Sequence, residues 1–79
     1  MVDWQDLHHF AVLAQAGSLS AAARELGVDH ATIGRRVASL EDALALRLIE
    51  RLPRRVALTP EGIAIAALAS EIAGTVQAI

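Results

Sequence analysis

Seventy-nine residues, 54% of them apolar and none a cysteine, make one small domain that must hold together without a disulfide. The net charge of −2 excludes a uniformly basic nucleic-acid coat. No apolar run reaches the roughly 18–20 residues that a bilayer span requires.

The predicted elements follow in chain order. Residues 3–16 read as a first helix: Asp3 is placed to cap it, Asp6 favours the positive end of its dipole, and Gly17 stops it. Trp4, Leu7, Phe10 and Ala14 fall on one face, with Leu13 beside them. Ser20 is the expected cap of a second helix, roughly 21–26, whose buried face is Ala22, Ala23 and Leu26. Gly27 then supplies a sharp turn with positive φ, and Val28 plugs the angle between the helices. Asp29 caps a third helix, roughly 30–45. Ile33, Val37, Leu40 and Leu44 run along one side of it as an apolar stripe, and Arg35, Arg36 and Ser39 occupy the other.

The period changes after Leu48-Ile49. Residues 47–58 read as two short strands around a turn at Pro53-Arg54, with Leu48, Val56 and Leu58 facing the core. Thr59 caps a fourth helix that carries Pro60 at its first position and Glu61 in its first turn, and that runs to the end of the chain.

Within this order, residues 19–37 have the pattern of a helix-turn-helix, a unit whose second helix commonly enters the DNA major groove. The charge distribution agrees. All seven arginines lie between Arg24 and Arg55, where they face five acids; the flanks carry Asp3, Asp6, Glu61 and Glu71 and no cation. A basic middle between acidic ends is a footprint for phosphate contact.

The chain resembles the DNA-binding domain of LysR-type transcriptional regulators. The resemblance rests on Gly17-Ser18-Leu19-Ser20 with Ala22-Ala23 and Leu26, then Val28, Arg35 and Leu40-Glu41. It continues through Leu48-Ile49-Glu50-Arg51, Arg55 with Leu58-Thr59, and Gly62. It implies a mainly α fold: a winged helix-turn-helix (three helices and a two-stranded wing) over residues 1–59, followed by a long linker and dimerisation helix over 60–79. It also implies an effector-binding domain of the periplasmic-binding-protein type outside this chain, so a small-molecule effector is expected only there.

Carried over residue by residue, the base-contacting turn of the family falls on Asp29, His30, Ala31, Thr32, Gly34 and Arg35. Arg35 matches the family pattern. His30 stands where glutamine is common, Ala31 where proline is common and Gly34 where serine is common, so an operator preference does not transfer.

The residues support those roles chemically. Arg35 can fork to guanine or phosphate, and Arg36 suits a phosphate. His30 and Thr32 sit in the helical turn that reaches base edges. Asp29 is explained by capping alone. Gly34 costs the helix roughly 0.5–1 kcal/mol against alanine; it fits either close approach to the groove floor or a tolerated exposed position. Arg51, Arg54 and Arg55 cluster at the wing, where arginine suits a narrow minor groove and also discourages strand pairing at an edge.

Ile65, Leu68, Ile72, Val76 and Ile79 form a stripe on the fourth helix, widened by Ile63, Ala66 and Ala73. A domain this small has little core to cover that stripe, and pairing with a second copy would bury it.

His8 and His9 are adjacent and cannot share a helix face, and no metal-ligand spacing, phosphate loop or nucleophile–base pairing is present. The expectation is therefore a homodimeric reader of double-stranded DNA, not an enzyme, with no cofactor, metal or membrane contact, working in the cytoplasm at the nucleoid. The rivals are a helical protein-interaction module of winged-helix shape, which the sequence pI of about 5.8 favours, and the DNA-binding domain of another winged-helix regulator family.

Overall fold

The first helix is the hub of the computed structural model, which describes residues 1–78, with side chains through Ile72. The element order is α1 (Trp4–Ala16), α2 (Leu19–Leu26), α3 (His30–Leu44), β1 (Ile49–Leu52), β2 (Arg55–Leu58) and α4 (Pro60–Ala78). α1 packs against α2, α3 and α4. This is the winged helix-turn-helix expected from the sequence, with a fourth helix after the wing.

Caps set the boundaries. Asp3 accepts from the Gln5 backbone N–H at 2.7 Å, and Gly17 ends α1 at φ 82°. α2 is capped by Ser18, whose Oγ accepts from Ala21 N–H at 3.1 Å. The expected cap, Ser20, lies inside the first turn instead and is exposed. Gly27 ends α2 in the left-handed region, as a turn this sharp requires. Asp29 caps α3 through Thr32 N–H at 2.7 Å. α3 ends at Ala45, which adopts φ 55° where glycine is the usual choice.

The core is built from one face of each element. Phe10 and Leu13 of α1, Ala22 and Ala23 of α2, and Ile33, Val37 and Leu40 of α3 close over Leu48 and Ile49 at the entry to β1. The alanines let α2 approach closely. Trp4 does not join this core. It is 43% exposed and stacks on His8, with ring centroids 6.1 Å apart. The buried face of α1 is rotated toward Asp6, His9, Phe10 and Leu13. His9 pays its burial by donating from Nδ1 to the Gln5 carbonyl at 2.7 Å.

The hairpin pairs antiparallel, Ile49 with Leu58 and Leu52 with Arg55. Pro53 and Arg54 form its turn, with Arg54 at φ 65°. A fixed negative φ at proline followed by a positive φ is the type II pattern. Two ties hold the hairpin to the helices. Val56 N–H donates to the Gly17 carbonyl at 2.9 Å. Glu41 Oε2 accepts from Leu48 N–H at 2.8 Å and Ile49 N–H at 3.4 Å. Without Glu41 these donors, where the chain turns from α3 into the buried start of β1, would lose their partner.

Thr59 caps α4, as expected: its Oγ1 accepts from Gly62 N–H at 2.9 Å and donates to the Arg47 carbonyl at 2.5 Å. The inward face of α4 carries Gly62 and Ala69, both buried, with Ile65 and Ala66 packed partly against the core. Ile63 points outward and is 60% exposed. Of the expected dimerisation stripe, Ile65 is thus already half used by the fold, because it shares the Gly62–Ala69 face. Leu68 and Ile72 remain exposed. Val76 and Ile79 lie outside the residues whose side chains are described.

Candidate nucleic-acid interface

One face of the molecule gathers the start of α3 and the hairpin. His30, Ala31 and Arg35 are exposed on α3; Thr32 and Gly34 are half-buried between them. Arg35 Nη2 donates to Thr32 Oγ1 at 3.2 Å, which lays the guanidinium along the helix surface with other donors unspent. Beside this turn, a cleft is lined by Ser18, Ser20, His30, Arg51, Arg54 and Arg55, among others. The start of α2, the start of α3 and the hairpin therefore open onto the same space.

The Asp29 carboxylate stands at the head of that face. Hydrogen bonds from Thr32, with the nearby Arg35 charge, hold it below the usual aspartate range. A carboxyl whose pKa is lowered on folding adds stability above its unfolded pKa, and loses it as pH falls through the folded one. Asp29→Asn keeps a capping oxygen but does not titrate. The stability gap between wild type and this variant is expected to shrink in thermal melts as pH drops below the aspartate range; a gap independent of pH would remove the charged cap.

The sequence-predicted arginines separate into three settings. Arg35 lies exposed on the outer surface of α3, held by Thr32. Arg36 turns back toward α1, where its Nη1 meets Asp6 Oδ1 at 3.2 Å. The Asp6 side chain is 8% exposed and that of Arg36 38%, so the acid is buried while the guanidinium keeps an open side. Arg54 and Arg55 are exposed at the hairpin turn. Arg51 does not join them at the tip. Strand alternation puts it on the same sheet face as Val56, its partner across the hairpin, and its guanidinium lies over Gly34 of α3.

Asp6 was the residue most easily missed. Its partner is remote in sequence, but Asp6, Phe10 and Leu13 share one helical face, and an acid on an apolar face needs a counter-charge. That spacing was the available signal. The role of Arg51 over α3 had none, because it depends on how the hairpin folds back.

Among the described residues, no group of His, Cys, Asp or Glu could hold a metal ion, and no helix is long and apolar enough to cross a membrane.

A three-helix unit with a two-stranded hairpin, with Arg35, Arg54 and Arg55 exposed at the start of α3 and at the hairpin turn, is matched over residues 4–63 by the family of bacterial regulatory helix-turn-helix proteins of lysR type. The chain belongs to the LysR family. An uncharacterised HTH-type transcriptional regulator of Mycobacterium tuberculosis is 44% identical over 63 residues, which is 80% of this chain and 20% of that protein. The chain thus spans about a fifth of the length of this relative. Among solved structures, the CbnR DNA-binding domain in complex with DNA superposes with a TM-score of 0.89 at 33% identity, covering 95% of this chain and 86% of that one. The BenM DNA-binding domain in complex with catB site 1 DNA gives a TM-score of 0.89 at 28% identity, covering 95% and 83%.

Proposed function

We propose that this LysR-family domain binds double-stranded DNA sequence-specifically, as a homodimer, with α3 in the major groove and the hairpin tip at the adjacent minor groove. The observation that carries the reading is the single face on which the open first turn of α3 and the hairpin arginines stand together, in a fold shared with domains solved on DNA. Arg35, with His30, Ala31, Thr32 and Gly34 around it, reads base edges. Arg36, Arg54 and Arg55 contact the backbone and the minor groove. Two copies joined through Leu68, Ile72 and the turns beyond present two recognition helices to paired half-sites. An effector-binding domain outside this chain would bind the regulatory ligand, and the site of action is the bacterial nucleoid.

Selection from random duplex DNA with the purified chain tests the reading, with enrichment of a two-fold symmetric site as the expected result. Affinity for that site should fall steeply with salt, because neutralised phosphates release counterions. Arg35→Ala is expected to relax base preference at one position per half-site and to cost roughly 1–3 kcal/mol. A loss equal on all sequences would make Arg35 a phosphate contact instead.

A further inference from the structure

Gly34 and Arg51 meet at the seam between α3 and the hairpin. A Cβ built on Gly34 would stand 2.8 Å from Nη2 of Arg51 and 3.9 Å from its Cζ; outside the helix's own backbone, nothing else comes within 4 Å. The missing side chain is therefore a notch, and Nη2 of the guanidinium occupies it. Among the described residues, that guanidinium makes no hydrogen bond or ion pair, so its donors are unspent. It also stands between two clefts. One is lined by Gly34, Ala38, Glu41 and Arg47, the other by Ser20, His30, Arg54 and Arg55.

Duplex geometry gives this place a meaning. Where a helix occupies the major groove and a hairpin tip the neighbouring minor groove, the sugar–phosphate strand dividing the two grooves must cross the seam between them. A planar fork of N–H donors, braced through Nη2 against a helix at that crossing, matches a phosphate in shape and charge. We propose that the Gly34 notch seats Arg51 as a phosphate clamp at this seam, and that Gly34 influences DNA binding only through Arg51. The inference rests on the DNA reading above. It gives Gly34 a positioning role in place of a contact of its own, and moves Arg51 from the minor groove to the strand between the grooves.

A double-mutant cycle tests it, with Gly34→Ala, Arg51→Ala and the double variant of the full chain titrated by anisotropy against the selected duplex and a scrambled one. Arg51→Ala is expected to weaken both duplexes by the same factor, roughly tenfold, and to flatten the salt dependence by about one unit. Gly34→Ala should weaken binding in the native background and leave it unchanged in the Arg51→Ala background. The fold is not at risk. Alanine is the better helix former, and only the tip of a flexible side chain has to move, so the Gly34→Ala melting temperature should equal or exceed that of wild type. A Gly34→Ala loss that persists without Arg51 overturns the seat. A change of base preference in Arg51→Ala with an unchanged salt slope overturns the phosphate role. Wild type binding without coupling defeats the clamp alone; wild type binding no duplex at all defeats the DNA reading and the clamp with it.

Discussion

Gly62→Ala is expected to destabilise the domain by about 3 kcal/mol, seen as a fall in melting temperature of roughly 12–24 °C. A Cβ at this position would overlap the Leu48 carbonyl oxygen and lie 3.0 Å from the Leu48 carbonyl carbon and 3.3 Å from its Cα. Neither partner can yield. The Leu48 carbonyl accepts from Thr59 N–H at 3.0 Å, the Leu48 amide donates to Glu41, and the Leu48 side chain is fully buried. On the other side, Gly62 N–H is fixed by the Thr59 cap. Relief would have to come from moving the first turn of α4 away from β1, which opens the core where Ile65 and Ala66 cover it. The contrast with Gly34 is instructive: there a flexible tip is in the way, here a pinned backbone. A melting temperature unchanged by Gly62→Ala would show that α4 docks on the domain without depending on this contact.

Ile72→Asp is expected to turn dimers into monomers in sedimentation experiments and to weaken binding to a two-half-site duplex by roughly 10²- to 10⁴-fold, the advantage lost when the second half-site is no longer held at high local concentration. Leu68 is 54% and Ile72 44% exposed in the single chain, beside Ile65 at the edge of the α4 face that buries Ala69. Neither belongs to the core cluster or to the residues packed against it, so the variant should melt close to the wild-type fold while failing to associate. Affinity for an isolated half-site should change little, which separates a broken dimer from a damaged reading surface. A dimer that survives the carboxylate would place the contact elsewhere on the molecule.

Much of this fold was legible because its signals are local. Asp3, Asp29 and Thr59 stand where caps must stand, Gly17 and Gly27 where the backbone must turn left-handed, and Ile33, Val37 and Leu40 at helical spacing. The errors were also local in origin. Ser18 and Ser20 are both good caps by chemistry, and the choice between them is made by where α2 starts against the Gly17 turn. Trp4 is large and apolar, so a periodicity reading counts it toward the core, yet it is 43% exposed. The actual face of each helix is fixed by its neighbours, and Asp6 and Gly62 are what it turns inward.

What stayed illegible is long-range: Arg36 meeting Asp6, Glu41 receiving the amides of Leu48 and Ile49, and Arg51 lying over Gly34. Each joins residues from different elements, and side-chain spacing in one element carries no information about the other. The candidate interface was thus readable as a set of residues, while their division among an exposed arginine, a paired one and a seated one was not.

The single bond from Val56 to the Gly17 carbonyl has a consequence for the duplex itself. It anchors β2 to the turn between α1 and α2, while Glu41 anchors the start of β1 to α3, so the span from the recognition turn to the hairpin tip is a fixed ruler. A groove pair that does not match this ruler has to be bent or narrowed until it does. On the proposed DNA reading, operators whose base steps deform cheaply gain affinity at positions no side chain reaches, and stiffness becomes part of the sequence that such a domain would select.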